Sequence, residues 1–138
     1  MQNLINNQWR IAARPDGNVK ITDFEFHQEQ VATLNDGEFL LRTHYLNLAP
    51  VMRMYMQGIS AAGEKPLSIG DVIDSKHPDY QVGDVVQGQI GWQTYKISKG
   101  TKRERFYKMP QRGLSYSLGV SQLGMTGFSA YCGFVKCG

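Results

Sequence analysis

The feature that most limits what this chain can become is the turn signal Asn35-Asp36-Gly37 together with the alternating run behind it. After the turn, Phe39, Leu41, Thr43 and Tyr45 alternate with Leu40, Arg42, His44 and Leu46. A glycine after aspartate reverses the chain because it reaches positive φ without a steric penalty. A period of two is the period of a β-strand, whose successive side chains point to opposite faces. The segment therefore predicts a strand with an apolar row on each face, Arg42 and His44 lying on the second. Shorter versions of the same pattern recur. Gln8-Trp9-Arg10-Ile11-Ala12 reads as a strand closed by Pro15-Asp16-Gly17, and Asp71-Val72-Ile73 and Val85-Val86 flank the turn-like stretch from His77 to Asp84. Trp92 to Ile97 alternates again. Fifteen glycines in 138 residues, most of them between short apolar runs, supply the turns. Short strands at regular spacing imply a mainly β domain, a small barrel or sandwich.

Two places read as helix. Pro50 interrupts strand pairing, and Met52 to Met56 begins a helical turn. From Leu114 onward the period changes: Leu114, Leu118 and Val120 to Leu123 lie near one helical face, and Gly124-Met125-Thr126-Gly127 breaks the run. Thr126 then serves as the expected N-cap of a second helix. Its stripe Phe128, Tyr131, Cys132 and Val135 has three-and-four spacing, and Gly138 stands where a glycine often stops a helix. The expected division is a barrel over residues 1–113 and a helical segment over 114–138 that leads toward a missing cofactor-binding domain.

Bulk properties exclude several classes. Hydrophobic residues at 41% and charged residues at 20% belong to an ordinary globular chain. No apolar run approaches the roughly 18 residues of a membrane span, and the N-terminus lacks the pattern of a secretion signal. A cytoplasmic protein with Cys132 and Cys137 reduced is expected. The net charge of +3 is uneven: seven basic residues between Lys96 and Arg112 face a single acid, Glu104. Without a nucleic-acid-binding motif, this run reads as a solvated loop, and nucleic acid is not an expected partner.

Four stretches, in order, resemble the zinc-free branch of the medium-chain dehydrogenase/reductase superfamily that contains leukotriene B4 dehydrogenase/prostaglandin reductase and curcumin reductase. They are Asn7-Gln8-Trp9-Arg10 with Arg14-Pro15-Asp16-Gly17; Leu46-Asn47-Leu48-Ala49-Pro50-Val51-Met52-Arg53; His77-Pro78-Asp79-Tyr80 through Val82-Gly83-Asp84-Val85-Val86 to Gly91-Trp92; and Leu123 to Tyr131. The resemblance implies a GroES-like, partly open β-barrel followed by C-terminal helices, with the Rossmann domain absent from this chain. It also implies NADP(H)-dependent reduction of the double bond of a small enone or enal.

Carried over by position, Val51, Met52 and Arg53 belong to the substrate cleft, and Met125 and Ser129 border the cofactor. Tyr131 matches a family tyrosine, but its place in the apolar stripe assigns it to core packing. Ala49 and Val51 stand where the family usually has aspartate and tyrosine. Valine cannot donate a hydrogen bond to a substrate oxygen, and Tyr55, one helical turn on, is the replacement candidate for this catalytic role. Between Gly70 and His77 the chain is about ten residues shorter than the resemblance leads one to expect, so a barrel lacking a pairing segment is anticipated.

Two chemistries are missing. Zinc prefers four tetrahedral N, S or O ligands, whereas His27, His44 and His77 are far apart and no Cys-x-x-Cys occurs; no metal is expected. The Gly-x-Gly-x-x-Gly turn that cradles a dinucleotide phosphate is also absent, so no NADP(H) is expected on this chain alone. The alternatives are a stand-alone, non-enzymatic binding module that keeps the barrel and, on the basic run alone, a nucleic-acid binder. Apolar surface at the cleft and terminal helix predicts self-association, a homodimer being the simplest form.

Overall fold

The computed structural model describes residues 3–57, 67–110 and 113–137. Gly138, the expected helix stop, and Arg112 of the basic run lie outside the described residues. Among the described residues, seven strands form two sheets. β1 (Ile5–Ile11) and β2 (Phe24–Gln30) make an antiparallel pair whose register runs from Ile5↔Gln30 to Ile11↔Phe24. β3 (Phe39–Leu46), β4 (Ser68–Ser75), β5 (Val85–Gly88), β6 (Tyr95–Ser98) and β7 (Tyr107–Lys108) form a second sheet in the order β6-β3-β4-β5-β7.

The Asn35-Asp36-Gly37 turn launches β3 as expected. Gly37 has φ 76°, and the Glu38 carboxylate accepts from the Asn35 backbone N–H at 2.9 Å. Both faces are buried where β3 begins: Phe39 and Leu41 are fully enclosed and Leu40 nearly so. Phe39, Leu41, Val72, Val86 and Ile90 form the core, with Tyr80 and Phe106 packed against it. Further along β3, Arg42 and His44 share the second face and converge on one carboxylate. Arg42 makes a two-pronged contact with Asp71 at 2.8 and 3.1 Å, and His44 Nε2 reaches the same carboxylate at 3.0 Å. Arg42 and Asp71 are direct cross-strand partners, and a register shift between Thr43 and Tyr45 brings His44 into range.

The two sheets meet along one seam. A single bridge joins Gln8 to Gln93, helped by Trp9 N–H to Trp92 C=O at 2.9 Å and Thr94 N–H to Asn7 C=O at 3.0 Å. The result is a partly open barrel. Although the chain is short between Gly70 and His77, β4 is an eight-residue strand paired on both sides, so the centre of the sheet is continuous there.

Three expectations are corrected. The segment after Leu114 is not an α-helix: only Tyr116–Val120 winds, as a 3-10 turn capped by Ser115. Gly119 there packs so close to Ile69 that an added Cβ would lie 2.4 Å from its Cδ1. The second helix, α2 (Met125–Cys137), starts one residue before Thr126, so Thr126 lies in the first turn and is not the N-cap. Its apolar stripe is not core packing: Phe128, Tyr131 and Val135 are all more than half exposed, Tyr131 at 60%. Three-and-four spacing shows that a helix has an apolar face, but not what covers it.

The basic run is also more than a solvated loop. Lys96 lies on β6 and Lys108 on β7, and both are ion-paired, Lys96 Nζ to Glu104 at 2.9 Å and Lys108 Nζ to Asp84 at 2.6 Å. The pairs form because the strands bring the seemingly unbalanced cations of this run against acids, one of which, Asp84, lies outside it.

Candidate functional site

α1 (Met52–Met56) follows Pro50, whose fixed φ suits the start of a helix. Arg53 N–H donates to Pro50 C=O at 3.1 Å, and the N–H groups of Met54 and Tyr55 both point to Val51 C=O. Met52 and Met56, four residues apart, are buried and anchor the helix. Val51 and Tyr55 are also four apart, so they share a face. That face borders a cleft of about 750 Å³.

The opposite wall comes from the start of α2. Met125, Thr126, Phe128 and Ser129 all line the cleft. Gly124 fixes how closely this wall approaches the sheet: a Cβ there would lie 2.4 Å from Gly119 C=O and 3.0 Å from the Gln87 side-chain nitrogen. The floor is formed by Gln87 on β5, then Gln89, and by Tyr107 and Lys108 on β7 with Met109 beyond.

Of the residues singled out from sequence, Val51, Met52, Tyr55, Met125 and Ser129 therefore meet in one space. Arg53 does not line it. Its guanidinium donates to the Gly17 carbonyl and so ties α1 to the Pro15-Asp16-Gly17 turn. Sequence reasoning missed Gln87, Arg105 and Tyr107. Their only signal was position, since Tyr107 reaches the cleft through the two-residue pairing Val86↔Lys108 and Gln87↔Tyr107.

The cleft is chiefly apolar, with a few donors: the phenols of Tyr55 and Tyr107, the hydroxyls of Thr126 and Ser129, the amides of Asn47, Gln87 and Gln89, and the cations Arg105 and Lys108. Mostly apolar walls with sparse, fixed polar groups are what orients a small organic molecule. Among the described residues, no group of three His, Cys, Asp or Glu side chains is arranged to hold a metal ion.

A partly open barrel with an apolar cleft between its sheet and a trailing helix is the fold of the N-terminal domain of the medium-chain dehydrogenase/reductase superfamily. The family described as the N-terminal domain of oxidoreductase matches residues 7–106, and the chain belongs to it, in the zinc-independent curcumin and prostaglandin reductase branch. The NADPH-dependent curcumin reductase of Escherichia coli (strain K12) is 42% identical over 142 residues, covering 96% of this chain and 40% of the enzyme. Prostaglandin reductase 1 of Oryctolagus cuniculus is 31% identical, covering 94% and 38%. The structure of CurA from Vibrio vulnificus in complex with NADPH superposes with a TM-score of 0.80 at 30% identity, covering 94% of this chain and 40% of that one. The chain thus spans about two fifths of the length of these relatives, and its fold is the partly open GroES-like one that the sequence resemblance implied.

Met125 and Ser129, expected from sequence to border a cofactor, lie on the cleft wall. The first turn of α2 offers Met125, Thr126 and Ser129 to the cleft. No phosphate cradle accompanies them among the described residues: Gly88 ends β5 against Phe106, where a Cβ would lie 2.1 Å from the ring, and Gly83 sits in the turn before β5.

Proposed function

We propose that this chain is the substrate-side domain of a cytoplasmic NADP(H)-dependent reductase that saturates the double bond of small α,β-unsaturated ketones and aldehydes. One observation carries the reading: two segments distant in sequence, Val51 to Tyr55 and Met125 to Ser129, face each other across one apolar cleft. The curcumin and prostaglandin reductases among the relatives support the substrate class.

A bound NADPH supplies the hydride. The task of this chain is to orient the enone and place donors at the oxygen where negative charge develops as the β-carbon is reduced. Val51 offers only hydrocarbon, so the Tyr55 phenol, one turn along the same helix face, is assigned the donor role at that oxygen. Met52 and Met56 hold α1 in place, and Met125 and Ser129 form the wall against which the nicotinamide would lie. Without a phosphate cradle, the isolated chain is expected to bind substrate weakly and to turn nothing over. The exposed apolar residues of α2 support self-association of the isolated chain.

Titrating isotope-labelled chain with benzylideneacetone, followed by amide NMR shifts, tests this reading. Shifts are expected to cluster at Val51, Tyr55, Tyr107, Met125 and Ser129. Tyr55→Phe is expected to weaken binding about threefold, the effect of one ordinary hydrogen bond. Shifts scattered over the surface, or an unchanged affinity in the variant, would refute it.

A further inference from the structure

Gln87 is only 7% exposed, yet it lines the cleft. Strand alternation explains the placement: Val86 on one side of β5 is fully buried in the core, and Gln87 points the other way. Its surroundings are hydrocarbon and backbone. Its cross-strand partner on β4 is the fully buried Ile69, and its amide nitrogen lies 3.0 Å from where a Gly124 Cβ would stand. Among the described residues, the Gln87 carboxamide has no hydrogen-bond partner.

Other enclosed amides of this molecule are committed. Asn6, 6% exposed, uses both ends of its carboxamide: Nδ2 donates to Gln93 at 3.1 Å, and Oδ1 accepts from Tyr95 N–H at 2.9 Å. Asn47, also on the cleft, donates to Val120 C=O at 3.2 Å. Leaving a buried polar group unpaired is costly. An amide enclosed on every side but the cleft is therefore placed to meet what enters the cleft. Gln89, two residues on, adds a second carboxamide to the same floor.

Resting on the enone-reductase reading and deepening it, we infer that Gln87 is a specificity-determining residue. The substrate it selects is an enone that carries a primary carboxamide or lactam group remote from the reacting double bond. A glutamine side chain presents an N–H donor and a C=O acceptor side by side. A ketone or ester oxygen meets the donor and leaves the acceptor unpaired. A hydroxyl carries both functions on one atom and does not align with both ends. A primary amide or lactam meets both through two parallel hydrogen bonds. The apolar walls receive the hydrocarbon body, Tyr55 receives the enone oxygen, and Gln87 receives the amide. A site built on buried hydrogen-bonding groups rejects analogues that lack the match more strongly than an apolar pocket does.

The test titrates the full chain with benzylideneacetone, its meta- and para-carboxamides, and the N,N-dimethylamide of each, followed by NMR. At least one primary carboxamide is expected to bind about tenfold more tightly than its dimethylamide, two hydrogen bonds contributing about threefold each. The Gln87 side-chain NH2 signals should shift with that probe. Gln87→Leu should bring the ratio of the two affinities to about one. Gln87→Met should do the same, and its unbranched chain guards against a folding artefact.

Equal affinity of each carboxamide and its dimethylamide, with benzylideneacetone bound in the cleft, overturns the Gln87 inference alone. So does a preference that survives Gln87→Leu or Gln87→Met, since exclusion of the bulkier dimethylamide would then account for it. Failure of all the probes to bind overturns the enone reading, and this inference with it.

Discussion

Phe39→Ala is expected to destabilise the domain by about 3–5 kcal/mol, the range for truncating a fully buried phenylalanine. Phe39 is completely enclosed. Its ring stacks on Tyr80 with centroids 4.2 Å apart and meets the edges of His77 and Phe106 at 5.6 and 5.9 Å. The substitution removes the centre of that cluster and leaves a cavity that rigid strands on both sides of β3 cannot close. Typical domains have only about 5–15 kcal/mol in total, so a large share of stability rests on this ring. Phe39→Leu keeps most of the volume and should lose roughly 1–2 kcal/mol. Urea unfolding followed by tryptophan fluorescence checks both values; a loss below about 1 kcal/mol for alanine would show that the stack does not hold the core.

Glu104→Gln is expected to lower stability by about 2 kcal/mol near neutral pH and to flatten its acid dependence, a cost between those of an exposed and a buried ion pair. The Glu104 carboxylate accepts from Ser98 Oγ at 2.6 Å, from Lys96 Nζ at 2.9 Å and from Thr101 N–H at 3.1 Å. Burial opposes its ionisation, but these donors prevail and hold its pKa below the ordinary 4.5. The Lys96 side chain is only 10% exposed, so removing its counter-charge falls between a surface pair, worth up to about 1 kcal/mol, and a buried one, costing about 3–5 to break.

A depressed carboxylate stabilises the fold fully above its unfolded pKa, and that contribution fades as pH falls through the folded value. The gap between the unmodified chain and Glu104→Gln should therefore be widest above about pH 4.5 and close below it. Asp84 works in the same direction: burial raises its pKa, but Lys108 and the Gln81 N–H outweigh it and leave it below 3.8. Thermal melts at a series of pH values measure the effect; a constant gap down to strong acid would contradict it.

How far sequence carried depends on how local the determining interactions are. The β3 strand was legible because its turn and alternation lie in one short continuous stretch, and α1 because Pro50 precedes it closely. β2 was not read as a strand. Only Phe24 and Phe26 mark its period, and Gln28 and Gln30 are as polar as their neighbours because the strand is largely exposed. The meeting of Arg42, His44 and Asp71 depends on strand register, which no local pattern encodes. The cleft was half legible. The α1 and α2 residues came from ordered motif resemblance, whereas Tyr107 enters at a two-residue strand pairing and Arg105 at the turn that precedes it. In α2 the apolar period was real, but burial is a property of what packs against a helix, and its face is exposed.

The most direct test of the proposed role is a chimera. Residues 1–138 replace the aligned stretch of the Escherichia coli NADPH-dependent curcumin reductase, and NADPH consumption is followed with benzylideneacetone as substrate. The expected result is enone-dependent loss of NADPH absorbance, sharply reduced by Tyr55→Phe. A folded chimera that binds NADPH but consumes none in the presence of the enone would contradict the assignment of this chain as the substrate-side domain of an enone reductase.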